Sequence, residues 1–350
     1  MKKSLIALAV LAASGASFAQ VSITGNVTYG YQSTTVADVK SAAVPGAVLL
    51  AGGDTAGLGS EGAETTGLTF VANEDLGGGF AAKATLNLAT GARAASMGKD
   101  HSLALTTPVG GLVLGTARGA DYLSGGIAGL GAYFTGWDGT ADRLFTTRTS
   151  RDYAAFIVPV GAVTFSLSQH EGAGEVAFGS GMTGTTAAIN GGSSAPVTTV
   201  SATYSAGPLV ANGQYAVYKN SGATNNAKDT TRLAASYDVG MVKLGGGMVI
   251  TNHTAPTAGN SPKTSDYLVA AKVPMGASSF GLTYASRTYS DMTQGYSATG
   301  TGYSLEYGYA MSKRTSVIAN YGRWTPVAMM STATVVDASS QYRLLLSHSF

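Results

Sequence analysis

From residue 20 onward the chain alternates. In VSITGNVTYGY (21–31), Val21, Ile23, Val27, Tyr29 and Tyr31 share one parity, and Ser22, Thr24, Asn26 and Thr28 the other. FAAKATLNLA (80–89) sets Phe80, Ala84, Leu86 and Leu88 against Lys83, Thr85 and Asn87. The rhythm recurs in AVTFSLSQ (162–169), TTRLAASYDV (230–239), MVKLGGGMVI (241–250), GYSLEYGYA (302–310) and RTSVIANYG (314–322). The last stretch, YRLLLSHSF (342–350), puts Tyr342, Leu344, Leu346, His348 and Phe350 on one side, so the apolar face runs to the final residue. A period of two predicts strands with one face on something apolar and the other on something polar.

A water-soluble sandwich would alternate in the same way. Three features point elsewhere. The polar parity is mostly Ser, Thr, Asn and Gly rather than Lys and Glu. The apolar parity carries Tyr near strand ends (Tyr29, Tyr31, Tyr284, Tyr307, Tyr309, Tyr321), as suits a membrane interface. The connections also take turns in length. Short ones fall at 73–79, 107–111, 159–161, 206–208, 238–240, 274–277 and 311–314. Gly/Ser/Thr-rich ones lie near 33–63, 90–99, 119–148, 171–196, 219–229, 252–264, 288–300 and 325–337. Seven turns and eight loops join 16 strands, and short-then-long connections mark a transmembrane barrel. Lipid leaves no sheet edge open, so the strands must close. The prediction is an all-β, 16-stranded antiparallel transmembrane barrel over 20–350. A barrel of this size encloses an aqueous channel.

Composition agrees. Charged residues make up 11% of the chain, against about 25% in soluble domains. The chain has 48 glycines and no cysteine, so a disulfide framework or a Cys-based metal site is out of reach. The four histidines, His101, His170, His253 and His348, lack ligand-like spacing, and neither a metal nor a cofactor is expected. The N-terminal stretch combines Lys2 and Lys3, an apolar run from Leu5 to Ala13, and Ser17-Phe18-Ala19. That predicts a signal peptide over 1–19. Without its two lysines the chain carries 19 basic and 19 acidic residues, and nothing in it is built for nucleic acid.

Three stretches carry a resemblance: TGLTFVANEDLGGGFAAKATLNL (66–88), YGYAMSKRTSVIANYG (307–322) and the terminal YRLLLSHSF. They resemble the trimeric general porins of Gram-negative bacteria, most closely the β-proteobacterial kind, and the likeness runs from Gln20 to Phe350. It implies an outer-membrane homotrimer surrounded by lipid and lipopolysaccharide, each subunit its own pore. It also implies that Tyr342, Leu344, Leu346, His348 and Phe350 serve as the signal read by the barrel assembly machinery. In such porins the loop after the fifth strand folds inward and narrows the pore. Here that loop is 119–147, with Tyr133, Phe134 and Trp137 as candidate wall anchors; the PEFGG tip of enterobacterial porins is absent.

Strand phase assigns lumen charges. With the bulkier face outward, inward positions hold Lys83, Arg151, Arg232, Lys243, Lys272, Arg287 and Arg343, against Glu306 alone. Lys83, Arg151 and Arg343 fall nearest mid-height, with Arg232 a little above. The loop adds Asp121, Asp138 and Asp142, while Arg118 and Arg148 flank it where phase is lost. Basic wall facing acidic loop predicts a transverse field and a weakly anion-preferring diffusion channel. Two alternatives stay open: a substrate-specific channel, for which Tyr153 is the hint, and a plugged adhesin or structural barrel. An enzyme is not expected. GARAASMGKD (91–100) has the wrong glycine spacing for a P-loop, and adjacent His101 and Ser102 point to opposite faces of a strand. The apolar insert 42–53 has no assigned place.

Overall fold

The computed structural model describes residues 20–41, 44, 47–60, 67–89, 100–118, 127–130, 150–171, 196–219, 227–254, 262–291, 296–325 and 334–350. Its strands are β1 (Gln20–Val36), β2 (Val39–Ser41), β3 (Val48–Leu50), β4 (Gly53–Ser60), β5 (Gly67–Gly77), β6 (Phe80–Ala89), β7 (His101–Thr107), β8 (Gly110–Arg118), β9 (Ser150–Val160) and β10 (Val163–His170). They continue as β11 (Val197–Ala206), β12 (Leu209–Tyr218), β13 (Ala227–Asp238), β14 (Lys243–His253), β15 (Lys263–Met275), β16 (Ser278–Asp291), β17 (Tyr296–Ala310), β18 (Thr315–Thr325), β19 (Thr334–Val336) and β20 (Ser339–Ser349).

Each barrel strand pairs antiparallel with the next, and β1 pairs with β20, so the sheet closes. The second barrel strand is built from two pieces. Residues Gln20–Asn26 of β1 pair with β5, and Tyr29–Val36 pair with β4, so Val27 and Thr28 fall between the two pairings. Counting β4 and β5 as one gives the predicted 16 strands. Several loop boundaries move. The expected loop 288–300 is mostly strand, since β16 runs to Asp291 and β17 starts at Tyr296; the expected loop 33–63 contains β2, β3 and β4, the loop 325–337 contains β19, and strand ends enter 219–229 and 252–264.

The short connections work as the sequence suggests. Gly77, Gly161, Gly207, Gly240 and Gly276 all take positive φ, which L-residues with a side chain resist. Asp75 and Asp238 accept the backbone N–H of Gly77 and Gly240 on their carboxylates, bracing two of these turns.

Alternation holds around the wall. Along β20, Tyr342, Leu344, Leu346 and His348 are exposed outward, while Gln341, Arg343, Leu345 and Ser347 are buried inward. The closing pair is fastened at the turn end. Phe350 and Gly25 exchange two backbone hydrogen bonds of 2.9 Å, and the Phe350 ring lies where a Gly25 side chain would stand, its Cζ 2.2 Å from an ideal Cβ. Gly25→Val is therefore expected to evict the ring. Because the ring is half exposed and free to swing out, the cost in folded stability stays near about 0.5 kcal/mol. The loss should appear instead in the yield of heat-modifiable barrel, read on unheated gels. An unchanged yield would separate the ring's position from assembly.

At the loop end, β2, β3 and β19 form a small sheet in the order β19–β2–β3, which takes in Val48–Leu50 of the apolar insert. It joins the first long loop to the last one. Lys40 donates to Asp337 across it at 2.6 Å. That hydrogen bond, and then the Asp337 charge, hold the Lys40 ammonium above its ordinary pKa.

Candidate functional site

The inner wall of β13–β18 is not uniformly polar. Reading across paired positions, one row runs Arg232, Val249, Asp266, Arg287. The next row toward the turn end is Ala234, Gly247, Leu268, Ala285, Gly302, Trp324. Two rows further comes Lys243, Lys272, Gly281, Glu306, Asn320, Arg343. An apolar strip thus lies between two charged rows.

The long loop docks on that strip. Ala128 and Leu130, with Ile127 beside them, pack against Ala234, Val249, Leu268, Ala270, Ala285 and Trp324. Leu268 and Val249 are each 1% exposed, although both stand on lumen-facing parity. Contact is closest at Gly245, where an added Cβ would lie 2.0 Å from the Ala128 carbonyl oxygen and 2.8 Å from Leu130 Cδ2. Glycine is required here because loop backbone rests directly on strand backbone. The turn is closed by a 3.4 Å hydrogen bond from the Leu130 N–H to the Ile127 carbonyl, and Leu130 has φ of 65°. A non-glycine residue in that region costs of order 1–3 kcal/mol, close to the ~1.5–3 kcal/mol gained by burying a leucine. Packing holds the strained turn in place. So the expected inward loop is found at 127–130, on aliphatic anchors; Tyr133, Phe134 and Trp137 lie outside the described residues.

The charge count needs a correction. Glu306 is not the sole inward acid among the described strands. Asp266 has the same parity as Lys272 and faces inward too, where it meets Arg287 from the neighbouring strand. Arg287 donates from Nε and Nη2 to the two Asp266 oxygens, both at 2.6 Å, with 1% and 2% of the side chains exposed. Lys272 reaches Glu306 at 3.7 Å across the intervening strand β16. It can do so because the residue between them is Gly281, where a Cβ would sit 3.2–3.5 Å from Glu306 atoms. Two of the seven basic positions are therefore matched within the wall.

The remaining predicted wall residues separate. Lys83 stands exposed on the inner face of β6, paired in register with Asn73 and Ala104. Arg232 is half-buried and Arg343 buried, both inward. Arg151, on β9, pairs with Ala117 of β8; its side chain lies outside the described residues, as do Asp121, Asp138, Asp142 and Arg148 and the Arg118 side chain. Tyr153 is inward and stacks on His170, ring centres 5.5 Å apart. Among the described residues no three His, Cys, Asp or Glu side chains gather as a metal site.

Residues 5–325 match the family described as Gram-negative porin. Over 82 residues the chain is 51% identical to outer membrane porin protein 32 of Delftia acidovorans; the match spans 23% of this chain and only 20% of that relative's length. Its fold is similar to the anion-selective porin from Comamonas acidovorans, with a TM-score of 0.65 at 19% identity over 95% of this chain and all of that one. It is also similar to the trimer form of OmpT, an outer membrane protein of Vibrio cholerae, with a TM-score of 0.61 at 12% identity over 95% and 99% of the two chains.

Proposed function

Since the chain belongs to the family of Gram-negative porins, we propose that it is a general diffusion channel of the outer membrane, passing small hydrophilic solutes and ions with a weak preference for anions. The family and fold are those of a channel rather than an enzyme. The observation that carries the reading is the segment 127–130, docked on the inner wall of a closed 16-stranded barrel. Residues 1–19 act as a cleaved signal peptide, and the working unit is a homotrimer in contact with lipopolysaccharide and delivered by the assembly machinery.

The anion preference follows from the corrected count. Away from the Arg287–Asp266 and Lys272–Glu306 pairs, inward positions of the upper and middle wall hold Lys83, Arg151, Arg232 and Arg343. An ion in the lumen responds to charges within a Debye length of about 8–10 Å, so local wall charge outweighs the chain's near-neutral total. The porin from Comamonas acidovorans is named for the same sign of selectivity. In a salt gradient across a planar bilayer, the zero-current potential should have the sign for chloride over potassium. Replacing Lys83, Arg151 and Arg343 by glutamine together should carry it toward zero, less so at high salt. A strongly cation-selective wild type would show that the loop aspartates Asp121, Asp138 and Asp142 dominate. The Tyr153–His170 stack favours the substrate-specific alternative, which saturation of the current by one solute would reveal.

A further inference from the structure

Buried polar groups in a folded chain nearly always find a partner, and one on the inner wall does not. Gln341 stands on the lumen-facing parity of β20 and is 1% exposed. Among the described residues neither its Nε2 nor its Oε1 has a hydrogen-bond partner. Asn320, buried on the same face of β18, donates from Nδ2 to the Leu305 carbonyl at 3.0 Å. That bond fixes the amide, and its Oδ1 is left without a partner. A leucine at 341 would carry no such cost.

Register sets the two carboxamides around a residue that has no side chain. Gly322 lies opposite Gln341 on one side and Ser304 on the other, and Asn320 is two residues along the same strand. Diagonal neighbours on one face of a sheet stand about 7–8 Å apart, within reach of long side chains. The next row toward the turn end is Glu306, Asn320, Arg343, with the carboxylate and the guanidinium both buried. Two carbonyl oxygens call for N–H donors, and one amide nitrogen calls for an acceptor. A primary amide carries both on one carbon. The flanking charges are one of each sign, so a net charge of either kind gains little. A neutral dipole gains more, with its carbonyl toward Arg343 and its amino group toward Glu306.

We infer that Gln341 and Asn320, between Arg343 and Glu306, form a seat in the channel wall for small neutral primary amides. The inference rests on the channel reading and names a class of solute that the wall recognises. Trp324, two residues beyond Gly322, belongs to the strip that holds Ala128 and Leu130, so the seat adjoins the dock. A solute enters by turning a side chain aside, and one that cannot pair with the carboxamides gains nothing there. Saturation-transfer NMR of the detergent-solubilised protein, read on the methyl protons of acetamide, tests the seat. Acetamide should bind wild type saturably, and Gln341→Leu about tenfold more weakly, the share of two lost hydrogen bonds. Because Gln341→Leu removes an unpartnered buried amide, the barrel should keep its heat modifiability. N,N-dimethylacetamide, which has no N–H, should bind wild type no better than acetamide binds Gln341→Leu. Equal acetamide binding by wild type and Gln341→Leu overturns the seat. So does no binding at all, which leaves Gln341 to an ordered water. Acetate bound as tightly as acetamide, with the same dependence on Gln341, overturns the neutral class. Bilayer conductance keeps the two readings apart: a silent wild type counts against the channel, whatever acetamide does in detergent.

Discussion

Asp266→Asn will lower the stability of the barrel by about 3–5 kcal/mol, the cost of leaving one member of a buried ion pair without its partner. Asparagine keeps the shape of the side chain but removes the charge that both Arg287 nitrogens address at 2.6 Å. With 1% of Arg287 exposed, water cannot take over. The pair across Gly281 behaves differently. Lys272 is 29% exposed, and it stands 3.7 Å from a Glu306 side chain that is 6% exposed. Glu306→Gln removes a buried charge together with its weak contact and leaves a lysine that water can reach, so it should cost about 1 kcal/mol or less. Replacing both Asp266 and Arg287 with leucine should be far milder than Asp266→Asn, because an apolar pair carries no desolvation debt. Loss of fast gel mobility on heating gives the order: single Asp266 variant first, double variant and Glu306→Gln close to wild type. Equal midpoints for Asp266→Asn and wild type would mean that Arg287 does not depend on this carboxylate.

Gly245→Val is the change expected to alter the channel most. Its side chain would occupy the place of the Ala128 carbonyl, and backbone cannot swing aside as a flexible side chain can. Overpacking costs about 1–3 kcal/mol, as much as burial of Leu130 supplies at ~1.5–3 kcal/mol. The strain at Leu130, another ~1–3 kcal/mol, is then released by undocking rather than borne. The segment 127–130 should leave the wall while the barrel stays closed, since strand pairing around Gly245 is unaffected. Single-channel recordings should show larger and noisier currents with wild-type heat modifiability. A current of wild-type size would mean that these residues do not narrow the pore.

Much of this was legible because a barrel wall has a strict period. Parity alone separates Tyr342, Leu344 and Leu346 from Gln341, Arg343 and Ser347. The same parity places Asp266 with Lys272, so the inward acid is readable in the sequence, although it lies two residues from the loop-like stretch 252–264. The dock was written in sequence as well, in the form of a contradiction: Ala234, Leu268, Ala285 and Trp324 are apolar residues on the water-facing phase. What parity cannot show is which loop covers them, because the contact between Gly245 and Ala128 is made by backbone atoms across the lumen. Nor does it show the split of the second strand into β4 and β5, which appears only in how each piece pairs with β1.

The small sheet at the loop end has a consequence for the order in which the chain is built. The pair β1–β20 joins residues as distant as Thr28 and Ser347, 319 positions apart, whereas Asp238 and Lys243 are joined by a five-residue step. Each doubling of the span closed adds about 0.6 kcal/mol of chain entropy, so this last pairing costs about 4 kcal/mol more than a hairpin does. Long-range pairings of this kind are also the slow ones. β2 and β19 flank the same seam, and Lys40 and Asp337 are 297 positions apart, yet once β1 and β20 have met, that distance shrinks to a few residues on either side. The clasp at the loop end and the Phe350–Gly25 exchange at the turn end therefore form almost free of entropic cost, and only after closure. A seam that is improbable to form is thereby made slow to reopen from either end.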